Sequence, residues 1–123
     1  MSTALLTAAV LLVLISAAHS ILGERYILIR LFRRGNLPKL FGGDWFPRRT
    51  LRFAWHLTSV AYLGFAALLV VMARDRTAAH SGVLAVIAVT FLVTALVAAV
   101  ASRGRHLAWP VFLAIAILVW LGA

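Results

Sequence analysis

Four histidines and one glutamate supply most of the residues in this 123-residue chain that could hold a ligand or carry a proton. His19 and His56 lie just inside two apolar runs that flank a basic loop, Glu24 to Arg52. His19 stands four residues before Gly23 and His56 three after Phe53, so at 1.5 Å per residue both sit about 5 Å inside the same boundary. If the runs are consecutive antiparallel helices, the two imidazoles can face each other. Imidazole and carboxylate are ligands for transition metals, and the expected metal set is His19 and His56 with Glu24 and His106. Bis-imidazole ligation of a b-type haem is the alternative chemistry, with Arg25, Arg52 or Arg105 placed to meet propionates.

Neighbouring residues add polarity to both faces. Ser16, His19, Ser20 and Gly23 share one side of the first run, a stripe that continues to Tyr26 and Arg30; Arg52, His56 and Ser59 share one side of the second. Stripes of small and polar residues suit a helix interface better than lipid. Ser20, Tyr26, Arg52 and Ser59 are therefore the expected ligand-binding residues. In a regular helix Glu24 lies about 140° round from His19, so joint coordination requires a distortion at Gly23 or a partner from elsewhere. His80 falls at the opposite boundary and is expected in a connection there.

The elements that must position these groups are membrane spans. The chain is 64% hydrophobic and 12% charged, where soluble domains are roughly 45–50% apolar. Apolar runs cover Thr3 to Leu22, Phe53 to Ala73, Gly82 to Ala101 and Leu107 to Ala123. About 20 residues cross a hydrocarbon core of about 30 Å, so the first three fit and the fourth is at the short end. With no period-two alternation and short connections at Arg74 to Ser81 and Ser102 to His106, the expected fold is all-α, an up-down four-helix bundle in a single transmembrane domain. Ala95, Ala98 and Ala99 with Thr90 and Thr94 give the third helix a face for close packing.

Charge orients the chain. Arg74 and Arg76 lie on one side, and the other ten of the 12 Lys and Arg residues lie on the other. Basic loops stay cytoplasmic, so both termini are expected outside the cytoplasm of a bacterial inner (plasma) membrane. Trp45, Trp55 and Trp109 fall near one boundary and Trp120 near the other, as interfacial aromatics do. Within the loop, Ile27, Leu28, Leu31 and Phe32 gather on one helical side and Arg30, Arg33 and Arg34 on the other, until Gly35 offers a stop. The first helix either continues past the bilayer or bends along it, and those three arginines are expected on anionic lipid headgroups. Asn36-Leu37-Pro38 and Gly42-Gly43-Asp44, with Pro47 close behind, are turn signals.

The net charge of +9 resides in short connections without a nucleic-acid motif, so nucleic acid is not an expected partner. Absence of cysteine excludes disulfide and thiolate chemistry. No span holds a lysine for retinal or a carboxylate for proton-coupled drug export, and no serine nucleophile elbow or phosphate loop is present. An enzyme is not indicated. A run without preceding basic residues lacks the mark of a cleaved signal, and the first segment is expected to be retained.

The stretches AHSILGERYILIRLFRR and RRTLRFAWHLTSVAYLG, with His19-Ser20, Leu22 to Arg25 and Trp55 to Ser59 as their distinctive pieces, resemble a group of small, uncharacterised bacterial four-transmembrane-helix proteins. The resemblance covers the first two spans and their loop, and implies fold and cellular setting without a catalytic assignment. The expected function is binding or transport of a metal or small ligand at a cytoplasmic-side histidine site. A haem-binding electron-transfer subunit and a structural accessory subunit of a membrane complex are the alternatives. Four short helices enclose little volume, which favours a site between protomers of a homo-oligomer over a pore through one chain.

Overall fold

A computed structural model describes residues 1–74, 80–101, 104 and 107–123. Its elements, in order, are α1 (Thr3–Gly23), a π-helical turn (Glu24–Leu28), α2 (Ile29–Arg33), α3 (Trp45–Arg74), α4 (His80–Ala101) and α5 (Ala108–Gly122). Among the described residues the one strand-like feature is an isolated bridge between Leu40 and Gly43. Thr3–Arg33, Trp45–Arg74 and Ser81–Val100 are long and apolar enough to cross a membrane. At 15 residues, α5 reaches about 22 Å, short of a core of about 30 Å.

The helices overrun the expected spans. α1, the π-helical turn and α2 follow one another without interruption from Thr3 to Arg33, so the first helix continues beyond the apolar run. α3 begins at Trp45, well before Phe53. Pro47 does not break it, because a proline in the first turn removes an N–H that has no intrahelical partner there. Gly35 does terminate α2, with φ +67°, a left-handed conformation that costs glycine little. His80 opens α4 instead of lying in the connection before it. His106, and most of the connections expected at Arg74 to Ser81 and Ser102 to His106, lie outside the described residues.

The chain forms two compact units. The first joins Met1–Ile15 to Leu63–Ala123. Here the Ser2 hydroxyl accepts from the Leu5 N–H at 3.5 Å, capping α1, while the Ser2 N–H donates to the Ala73 carbonyl at 3.0 Å. Gly122, at the end of α5, packs directly against Leu5 and Ser2, leaving no room for a Cβ. Phe91 of α4 meets Phe65 of α3 and Phe112 of α5 at centroid distances of 5.6 and 6.0 Å. The buried face of α4 is Leu84, Ile87, Ala88, Phe91 and Ala95. Thr90 is not part of that face: it is exposed, and its hydroxyl and that of Thr94 bond back to the Val86 and Thr90 carbonyls at 2.8 Å.

The second unit, Ser16–Tyr62, carries the polar residues. Leu28 and Phe32 are buried within it, while Ile27 is exposed, so the apolar stripe of the extension is narrower than expected. The π-helical turn, with more residues per turn than an α-helix, rotates the phase of the helix beyond it and carries Ile27 outward. The guanidinium groups of Arg48 and Arg52 lie over the Phe32 ring, 5.2 and 5.0 Å from its centroid, holding α2 against the first turns of α3 by cation–π attraction. Between α2 and α3, mutual bonds between Leu40 and Gly43 (2.8 and 3.3 Å) close a two-residue turn. Its centre is Phe41–Gly42, one residue earlier than the expected Gly42-Gly43-Asp44, and both have positive φ.

Candidate functional site

Ser20 and Glu24, four residues apart where α1 ends, share one side of the helix, and the two side chains clasp the His56 ring presented by α3. His56 Nδ1 is 2.9 Å from Ser20 Oγ, and Nε2 is 3.1 Å from Glu24 Oε2. Arg52, one turn from His56 on α3, grips the same carboxylate with both edges of its fork: Nη2 to Oε1 at 2.8 Å and Nε to Oε2 at 3.2 Å. At the other end Ser20 Oγ lies 2.7 Å from Ser59 Oγ. The buried Ser16 hydroxyl donates to the Ser59 carbonyl at 2.8 Å. A continuous string therefore runs Arg52, Glu24, His56, Ser20, Ser59.

Hydrogen bookkeeping gives this string two arrangements. An ionised carboxylate only accepts, so His56 Nε2 must carry a hydrogen. In the neutral imidazole Nδ1 is then bare and accepts from Ser20, leaving Ser59 to donate to Ser20 Oγ. When Nδ1 takes a second proton it donates to Ser20 Oγ, and the Ser20 hydroxyl turns to donate to Ser59. The heavy atoms need not move. One proton added at His56 reverses two hydroxyls and changes the charge of the Glu24–Arg52–His56 group from zero to plus one.

His19 belongs to a different arrangement. Its ring stacks on Trp55 at a centroid distance of 4.7 Å and an interplanar angle of 5°, and meets Tyr62 edge-on at 6.3 Å. The Trp55 indole donates to the His19 carbonyl at 2.9 Å, and His19 Nε2 lies 3.2 Å from the Trp55 carbonyl. A carbonyl only accepts, so Nε2 carries the hydrogen. Gly23 is what permits the contact, since a Cβ there would fall inside the Trp55 ring.

Of the expected metal set, Glu24 joins His56 and not His19, and His106 lies outside the described residues. Among the described residues no group of three or more His, Cys, Asp or Glu side chains is placed to hold a metal ion. Both His56 nitrogens are engaged by Ser20 and Glu24. Of the expected ligand-binding residues, Ser20, Arg52 and Ser59 enter the string. Tyr26 instead stands exposed, with the Arg25 and Arg30 guanidiniums each 5.5 Å from its ring. Arg30, Arg33 and Arg34 are all exposed. Trp55, expected only as an interfacial aromatic, was missed as the partner of His19. The spacing Ser16, Ser20, Glu24 opposite Arg52, His56, Ser59 was the signal for the string; reading Glu24 against His19 hid it.

On α3, Arg49, Arg52, Phe53, His56, Leu57 and Val60 line a shallow, open furrow. Outside the helical runs, the carboxyl of Asp44 is held below its ordinary value, chiefly by a hydrogen bond from Arg48.

Taken together, helices fit to cross a membrane and a polar string between two of them are consistent with a helical membrane protein. No family model matches the chain, and no curated relative or solved structure is similar to it.

Proposed function

We propose that this chain is a small bacterial inner-membrane protein, an up-down four-helix bundle with both termini outside the cytoplasm, that binds a small ligand at a histidine site on its cytoplasmic side. The observation that carries the reading is the Arg52–Glu24–His56–Ser20–Ser59 string. Of its ionisable groups His56 lies inside an apolar run, and an ionisable group at that depth marks a functional site by default, because holding it there is costly. This string also has a neutral and a cationic form at one geometry. Arg49 and Arg52, beside His56 on α3, favour an anionic ligand. A small ligand is preferred to a metal because Ser20 and Glu24 already take the two ring nitrogens of His56. Arg30, Arg33 and Arg34, exposed on the helix extension, rest on anionic headgroups in this reading.

Purified protein tests it. Wild type should be colourless, without stoichiometric metal, and should carry a bound organic anion detectable by native mass spectrometry. His56→Ala should lose that mass, and so should Ser20→Ala in large part. Stoichiometric transition metal would establish the metal reading in its place, and a Soret band would establish haem.

A further inference from the structure

We infer that the ligand of this site is an anionic phospholipid, held along the furrow of α3 with its phosphate at Arg49 and Arg52 and one acyl chain over Leu57 and Val60. The inference rests on the ligand-site reading above and names its chemical class. Three features of the furrow lead to it. Its residues recur at positions 49, 52–53, 56–57 and 60, a single face of one helix, so the groove runs along the helix axis as an extended chain would.

The chemistry also changes in register with depth. The apolar run begins at Phe53, so Arg49 and Arg52 stand about 6 and 1.5 Å beyond the hydrocarbon boundary, while Leu57 and Val60 lie about 6 and 10 Å inside it. Phosphates occupy the first level and acyl chains the second. Phe53, Leu57 and Val60 are exposed, so each has apolar surface to offer a chain. A free anion would use the arginines and none of these three.

The charges, finally, are incompletely matched. Glu24 is shared between Arg52 and His56, whereas among the described residues no ion pair or hydrogen bond engages the Arg49 side chain. A phosphate bridging Arg49 and Arg52 supplies the missing counter-charge and competes with Glu24 for Arg52. Arginine's planar fork suits that exchange, since it can pair bidentately with carboxylate or phosphate. This competition predicts an effect of unusual sign: removing the Glu24 charge tightens lipid binding.

The test is native mass spectrometry of the detergent-purified full chain titrated with phosphatidylglycerol, phosphatidylcholine or inorganic phosphate. Wild type should retain one phosphatidylglycerol in preference to phosphatidylcholine and should not retain phosphate. Arg49→Gln should weaken phosphatidylglycerol about fivefold, the loss of one surface cation, and Val60→Trp, which fills the furrow, should weaken it as well. Glu24→Gln should strengthen it. Arg74→Gln, at the opposite end of α3 from Arg49, should leave it unchanged. Equal losses in Arg74→Gln and Arg49→Gln would show diffuse attraction and overturn the site, as would phosphate binding insensitive to Val60→Trp. If a non-lipid anion leaves with His56→Ala while phosphatidylglycerol ignores Arg49→Gln, the lipid assignment fails and the ligand-site reading stands.

Discussion

Glu24 sits where a single carboxylate must answer two donors, Arg52 and His56, and its neighbour Gly23 decides whether it can. Gly23 lets the Trp55 ring lie against α1, which brings α3 close enough for His56 to reach Ser20 and Glu24. Gly23→Ala would normally favour a helix by roughly 1 kcal/mol. Here the added methyl overlaps the indole, an overpacking that costs roughly 1–3 kcal/mol. The expected outcome is a lower thermal midpoint for the detergent-solubilised variant, with loss of the His19–Trp55 stacking signature in Trp fluorescence. An unchanged or raised midpoint would show that the helix contact is looser than described. The importance of Gly23 was only partly legible beforehand: small residues flagged a close approach, but nothing in the chain said that a tryptophan would occupy it.

At the scale of elements, the π-helical turn and the first turn of α3 set the geometry. The wider π-helical turn at Glu24–Leu28 follows the α-helical segment that sets Ser20 and Glu24 on one side, where Glu24 meets His56 and not His19. α3 starts directly after Asp44, whose carboxylate takes a 2.6 Å ion pair from Arg48, while the Asp44 carbonyl accepts from the Arg48 N–H. An acidic residue at a helix N-terminus also meets the positive end of the dipole. Because the folded pKa of Asp44 is depressed, its contribution is complete above the ordinary value of about 3.9 and is lost as pH falls through the lower folded value. Protection factors for the Phe46, Arg48 and Arg49 amides should therefore drop on acidification below about pH 4, and Asp44→Asn should show the low-pH values throughout. Protection in the wild type that stays constant to about pH 2 would exclude Asp44 as the cap.

For the whole molecule, the division of basic residues makes a prediction independent of the site. With Arg74 and Arg76 between the second and third apolar runs of the sequence and the other ten of 12 bases in the connections before and after these runs, a reporter fused after Ala123 should be active in the periplasm and silent in the cytoplasm. Moving the charges should move the reporter: replacing Arg48, Arg49 and Arg52 with Gln weakens the bias. A cytoplasmic terminus in the wild type would mean either an inverted chain, with the string and the furrow on the other face of the membrane, or an α5, short for a span, that does not cross.

Composition and periodicity alone determined that the chain is helical and has helices fit for a membrane, since hydrocarbon tolerates no unpaired backbone and long apolar runs leave few alternatives. They also marked Ser20, Arg52, His56 and Ser59 as faces of two helices, because i, i+3 and i+4 spacing is a local property. The tertiary structure decided who pairs with whom. The choice of Glu24 and Ser20 for His56, and of Trp55 and Tyr62 for His19, depends on the rotation of one helix about its axis relative to another. That rotation is set by the volume missing at Gly23 and by the phase shift of one π-helical turn, and neither leaves a trace in hydropathy.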